Sequence, residues 1–271
     1  KPLTNTQLQD FEVGVVNIQE NENKTPIPYV LPPGIEREIL RGSTTLQKQN
    51  EQSLSLKVSD LQPNETRAIF KNVSVDLRMY KHLKLFVHAE GVQTKPQVQN
   101  NDLKAIIRIG SDLSDNYYQI EKTLTISDYT ASTPLEIWPE ENNIDALLEY
   151  FGKLKLLRFE DGVAPNILYP AEGAPSPISG LQGYEIRVKG NPNLANLKTI
   201  MLGVKNVSSN NQSAEIWFDE MRVSEFDNQG GWAAVVNADA NIADFADVSV
   251  TGRMETKGFG SIEQRVNERS Q

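Results

Sequence analysis

The acidic pair Asp219-Glu220, closing the run Glu215-Ile216-Trp217-Phe218-Asp219-Glu220, is the first place where this chain could do chemistry. A glycoside hydrolase holds two carboxyl groups at a set separation across the scissile bond, and a strand end is a place where one of them could stand. The same aspartate suits a simpler role, accepting hydrogen bonds from backbone amides where a strand ends, and that role is preferred. The two histidines, His82 and His88, are six residues apart in a segment that reads as one strand. At strand rise that is roughly 20 Å, too far for them to share a metal ion. Both are expected to be surface or hydrogen-bonded side chains.

Asp112-Leu113-Ser114-Asp115-Asn116 and residues 239–247 offer oxygen ligands to calcium. Neither has the glycine-centred spacing of an EF-hand loop, so turns in solvent are expected instead. Trp138, Trp217, Tyr117 and Tyr184 could form a stacking platform for sugar rings. Aromatics at strand positions carry much of a sandwich's buried area, and a core role is preferred for all four. Asparagine sequons begin at Asn64, Asn72, Asn206 and Asn211, a weak signal in an Asn-rich chain. No glycine-rich phosphate loop opens a helix and no Gly-x-Ser-x-Gly elbow is present. No catalytic, cofactor-binding or metal-binding residue is assigned, and the chain is not expected to be an enzyme.

Composition narrows the classes further. Without cysteine there is no thiol chemistry and no thiolate zinc site. A net charge of −9 without a Lys/Arg block argues against nucleic acid, whose phosphates bind clustered cations. At 271 residues the chain can bury a core without disulfides or metals. No run of about 18 apolar residues occurs, which excludes a membrane helix and leaves membrane strands open. The chain opens on Lys1-Pro2 with no secretory leader, and is expected to be a piece of a longer protein.

The elements that must position these residues are strands. Residues 1–50, punctuated by Pro26, Pro28, Pro32, Pro33 and Gly34, read as an extended arm with a short strand at 11–18. From Ser53 a two-residue apolar period sets in: Leu54, Leu56, Val58; then Val73, Val75, Leu77, Met79; then Leu83, Leu85, Val87. Further strands are expected at 103–110, 117–124, 153–159, 184–189, 199–204 and 214–223. Turn-separated short strands of this kind build an antiparallel β-sandwich of jelly-roll, galactose-binding-like type. Ile144, Leu147, Leu148, Phe151 and Leu154 fall at helical spacing, so one short helix is expected at about 144–152. Residues 161–183 read as a long loop. The sandwich domain is placed at 51–228.

After Gly230-Gly231 the pattern changes. Trp232, Ala234, Val236, Ala238 and Ala240 alternate with polar and small residues, as do Val248, Val250, Gly252 and Met254. Residues 229–271 are expected to hold a β-hairpin whose strands suit an outer-membrane barrel, plus a tail.

The run Ile216-Trp217-Phe218-Asp219-Glu220-Met221-Arg222-Val223-Ser224-Glu225-Phe226 resembles the SprA/Sov family. So do Gly230-Gly231-Trp232-Ala233-Ala234, residues 237–247, Gly258-Phe259-Gly260-Ser261-Ile262-Glu263-Gln264 and Leu3-Thr4-Asn5-Thr6-Gln7-Leu8-Gln9-Asp10. The resemblance covers the whole chain. It implies a fragment of a giant outer-membrane β-barrel, the translocon of the type IX secretion system, associated with gliding motility and with export of folded proteins to the cell surface. The implied partners are the remainder of its own barrel, a smaller outer-membrane partner barrel, a plug protein and secreted cargo. The expected function is that of a structural and interaction domain of this pore. The runner-up is a carbohydrate-binding jelly-roll module.

Overall fold

The computed structural model describes residues 10–37, 49–226, 233–242 and 246–255. The chain divides into two units, Lys1–Ser224 and Glu225–Gln271.

The first unit is built on strands β1 (Phe11–Asn17), β2 (Gln52–Leu61), β3 (Thr66–Val75), β4 (Tyr80–Gly91), β5 (Leu103–Gly110), β6 (Tyr117–Thr123), β7 (Ile144–Leu147), β8 (Tyr184–Lys189), β9 (Leu197–Asn206) and β10 (Gln212–Phe226). They form two five-stranded sheets, ordered β1-β2-β10-β4-β7 and β3-β9-β5-β6-β8. Setting β1 and β8 aside, one sheet takes the first, eighth, third and sixth strands and the other the second, seventh, fourth and fifth. That is the strand order of a jelly roll, two Greek keys folded face to face, as the sequence led us to expect.

Period-two alternation places the core between the sheets. Leu56 and Val58 of β2, Ile216 and Phe218 of β10, and Leu83, Leu85 and Val87 of β4 meet Ile107 and Ile109 of β5 and Ile186 and Val188 of β8 in one buried cluster. Strands 103–110 and 184–189 stand where expected. β3 lies earlier than the 73–79 period suggested, because Leu77 and Met79 reach the core from the loop after it.

The expected helix is displaced. Residues 144–147 form β7, paired with β4 through Leu85↔Ile144 to His82↔Leu147. The helix, α3 (Glu149–Glu160), covers 153–159, which the alternation assigned to a strand. Ile144, Leu147, Leu148, Phe151 and Leu154 fit the helical period, but Ile144, Ala146 and Leu148 also fit the two-residue one, and a free hydrogen-bonding edge on β4 took the first four residues. Phe151, Leu154 and Arg158 are the buried positions of α3, and the Phe151 ring stacks on Tyr118 at 4.8 Å. Two shorter helices, α1 (Ile18–Asn21) and α2 (Pro134–Ile137), sit in the segments outside the sheets. Thr133 and Glu136 close α2 with a reciprocal capping box.

The second unit holds β11 (Ala233–Ile242) and β12 (Ala246–Glu255), an antiparallel hairpin in unbroken register from Ala233↔Glu255 to Ile242↔Ala246. The expected hairpin is therefore present, with ten residues in each strand. Among the described residues no helix is long and apolar enough to cross a membrane.

Replacing Phe151 with alanine is expected to cost about 3–5 kcal/mol, read as a lower urea midpoint. Leu156→Ala, on the exposed side of the same helix, is expected to stay within about 0.5 kcal/mol.

Candidate functional site

The residues that could do chemistry point away from the core. On β2, β10 and β4 the alternation that sends Leu56, Ile216 and Leu85 inward sends Ser53 and Ser55, Glu215, Trp217 and Asp219, and Phe86, His88 and Glu90 outward. These outer residues are not solvated. Residues 24–31 and 125–139 lie over them, and Val16, Ile27, Tyr29, Ile137, Trp138 and Trp217 form a second buried cluster. Tyr29 packs edge-on against Trp138 at 6.3 Å and Trp217 at 5.8 Å, and the Trp138 Nε1 donates to the Val30 carbonyl at 2.8 Å.

Charge is enclosed with them. The Lys24 ammonium lies 2.5 Å from Glu90 Oε1, 3.3 Å from Glu215 Oε2 and 4.9 Å from the centre of the Trp217 ring. Glu215 Oε1 accepts from Trp217 Nε1 at 2.7 Å and Ser55 Oγ at 2.9 Å. Burial alone would raise the Glu215 pKa; Lys24 and these donors outweigh it and hold the carboxyl below its ordinary value. Asp219 Oδ2 accepts from the Tyr29 hydroxyl at 3.0 Å, and that hydroxyl accepts from Ser53 Oγ at 2.8 Å. Here burial dominates and pushes the Asp219 pKa up. Asp219 Oδ1 also accepts the Glu220 amide at 2.8 Å, where Glu220 takes a φ of 52°. From the sequence Asp219 is expected to accept backbone amides at a strand end; it stands instead within β10, where it accepts the Glu220 amide and the buried Tyr29 hydroxyl.

Trp138 and Trp217 are fully buried and Tyr117 and Tyr184 nearly so, which places all four in the protein interior rather than on a sugar-stacking platform. The histidines have separate surroundings. His82 Nδ1 lies 2.5 Å from Asp145, whereas His88 is fully buried against Trp217, ring centres 4.0 Å apart. His88 Nδ1 donates to the Ile137 carbonyl at 2.6 Å, since a carbonyl can only accept.

The outer face of the other sheet has the same design. Arg187 of β8 is 1% exposed, and its Nε lies 2.7 Å from Glu121 Oε1 of β6. Lys104 of β5 lies 3.1 Å from Glu121 Oε2. Burial opposes ionisation of Glu121, but Arg187 and Lys104 lower its pKa. The Arg187 Nη1 also donates to the carbonyls of Pro170, Ala171 and Ala174, at 3.2, 2.6 and 3.0 Å. One guanidinium thus fastens the 161–183 loop to the sheet.

The Asp112 segment is the expected turn. Asp112 Oδ1 accepts the amides of Ser114, Asp115 and Asn116, and Oδ2 accepts Asn116 Nδ2. Burial pulls the other way, yet these donors hold the carboxyl well below the carboxylate range. The turn rests against Gly190, whose φ of +70° and lack of a side chain let the backbones touch. Among the described residues no group of three metal-binding side chains occurs. The other acidic stretch, 239–247, lies outside the described side chains. Asn206 is buried, and its Nδ2 donates to the carbonyls of Leu61 and Asn210, so the sequon at 206 is closed to modification.

The described surface has several openings. A polar cleft of about 660 Å³ is lined by Lys122, Glu140, Glu141, Asn143, Asp145 and Gln182. An apolar groove of about 300 Å³ opens between the sheets. Residues 1–271 match the SprA_N family, described as motility related/secretion protein. The chain belongs to that family. No curated protein matches it. In this SprA_N chain the outer faces are held by Lys24, Glu90 and Arg187, none of which stood out in the sequence. Glu90 and Arg187 have the sequence pattern of any solvated strand face, Lys24 lies in the irregular arm, and only the packing of the covering segments brings these groups to their partners.

Breaking either anchor is expected to be costly. Lys24→Met leaves Glu90 and Glu215 without their shared cation, and Arg187→Met leaves Glu121 with Lys104 alone and the 161–183 loop carbonyls without their donor; each should lower stability by about 3–5 kcal/mol in urea unfolding. Glu121 contributes stability that is present above its unfolded pKa and lost as pH falls through its lower folded pKa. Glu121→Gln should therefore start less stable at pH 7 and lose less on acidification below about pH 4. Asp219 acts in the opposite sense: its raised folded pKa costs stability as pH rises, so Asp219→Asn should flatten the curve above about pH 4.

Proposed function

We propose that this chain is a structural and interaction domain of an outer-membrane pore that exports folded proteins, as in type IX secretion and gliding motility. The observation that carries the proposal is membership of a motility and secretion family over residues 1–271. The hairpin supports it. Each strand is ten residues long, and a tilted strand needs about 9–11 to cross a bilayer. A lone hairpin in lipid would leave unpaired backbone groups at both edges, so β11 and β12 would belong to the wall of a larger barrel. The sandwich would narrow or cover the pore mouth and present surfaces to a smaller partner barrel, a plug protein or cargo.

In this reading the domain makes and breaks no bonds. Its buried carboxylates, His88 and Arg187 are already engaged in holding the covering segments, and Trp138 and Trp217 are buried. That removes the aromatic platform that motivated a carbohydrate-binding module.

An epitope placed in the exposed loop near Glu172 of the whole protein, in its own cell, is expected to fractionate with outer membrane on a density gradient. Deletion of the segment 52–224 is expected to leave secreted proteins inside the envelope. Recovery of the epitope with soluble proteins, or undiminished secretion by the deletion strain, would overturn the proposal.

A further inference from the structure

The two sheets have four edge strands, and three of them are guarded. β7 is only four residues long. β8 is bonded along its free side by Tyr169, whose amide and carbonyl both pair with Val188 at 2.9 and 2.7 Å. β3 breaks register between Asn72 and Val75 and carries Lys71. Bulges, short length and lysine are the usual protections of an open edge.

β1 has none of them. Its seven residues pair with β2 in unbroken register, without lysine, proline or bulge. The Ser59 amide donates to Asp10 O at 2.8 Å and the Ile18 amide to Glu51 O at 3.3 Å. Antiparallel pairing alternates, so Glu12, Gly14 and Val16 bond to β2, while the N–H and C=O of Phe11, Val13 and Val15 point to the free side. The same three side chains share the core face, as their partners Val58, Leu56 and Leu54 do. Val13 and Val15 are nevertheless 48% and 53% exposed. Leu54, directly across from Val15, lines the apolar groove together with Ile69, Val73, Ile200, Leu202 and Met221. Among the described residues no segment covers Val13 and Val15, and the groove opens at Leu54 beside them. Lys71 also lines the groove and makes no ion pair with a described residue.

We infer that β1 and this groove are a docking site for an extended segment of a partner protein, added as a further antiparallel or parallel strand. The segment carries apolar side chains at alternate positions, seated over Val13, Val15 and Leu54, and an acidic residue that meets Lys71. Backbone pairing supplies affinity, and the groove with its single cation supplies selectivity. A strand is favoured over a helix because the outward donors and acceptors of Phe11, Val13 and Val15, which pair with no described residue, are spaced along a line that a second extended backbone matches and a helix, with its own groups bonded internally, does not. The inference concerns this seam alone and holds whether or not the export proposal does.

The test is fluorescence anisotropy of the 271-residue chain with a synthetic peptide that alternates valine with threonine and carries one aspartate. Saturable binding is expected, weakened about tenfold by Val15→Lys and about two- to fivefold by Lys71→Gln. Methylating alternate peptide amides, which leaves the protein untouched, is expected to abolish binding. Phe159→Ser on α3 is expected to change nothing. Absence of binding, or affinity indifferent to amide methylation, overturns the inference. So does slow hydrogen exchange at the Val13 and Val15 amides in the isolated chain, which would mean the edge is already taken. Sedimentation as a dimer that Val15→Lys dissociates would assign the seam to a second copy, and overturns the partner assignment.

Discussion

The arrangement of this domain follows from one constraint: its central strands are buried on both faces, while each strand must send half its side chains to either side. The inward half can be purely apolar. The outward half must meet whatever covers it, and here the covers are irregular segments with backbone polar groups of their own. A cation with buried carboxylate partners resolves that conflict on each sheet, the half-buried Lys24 between Glu90 and Glu215 on one and the buried Arg187 against Glu121 on the other. Such groups cannot be left unpaired in a low-dielectric interior, so each fixes the position of the segment that brings it or that it holds.

The same constraint explains why the residues with chemical potential are not at an accessible site. Asp219 is bound by the Tyr29 hydroxyl, His88 is stacked on Trp217, and Glu215 is shared among Lys24, Ser55 and Trp217. Each is engaged in closing a layer. What the domain presents outward is a polar cleft, exposed apolar side chains such as Phe159 and Val15, and an open strand edge. The chain's membership of a motility and secretion family rests on its sequence over residues 1–271 and not on these features.

Much of the sheet structure was legible beforehand because the two-residue apolar period is a local signal. Strands 103–110 and 184–189 agree with their periods residue for residue, since both lie inside the sandwich with one face on the core. The stretch 144–159 was misassigned because Ile144 and Leu148 satisfy two periods at once. Nothing within that stretch says that β4 has a free edge for Ile144–Leu147, and that edge is made by the fold. The arm was legible as an irregular segment, but not as a second layer, because Ile27 and Tyr29 acquire a surface to bury against only when β10 and α2 bring Trp217 and Trp138 together.

The order of residues along the chain by itself settled the absence of thiol chemistry, the β class, the jelly-roll expectation, the hairpin after the double glycine and the family. These depend on composition, local period or long unbroken motifs, and need no knowledge of what lies across space. Tertiary structure alone decided which outward residues are buried, which charges pair, where β7 ends and α3 begins, and which strand edge stays open. Each of those depends on partners far away in sequence, such as Lys24 with Glu215 or Arg187 with Glu121, and no local pattern distinguishes a solvated charge from one that a distant segment will cover.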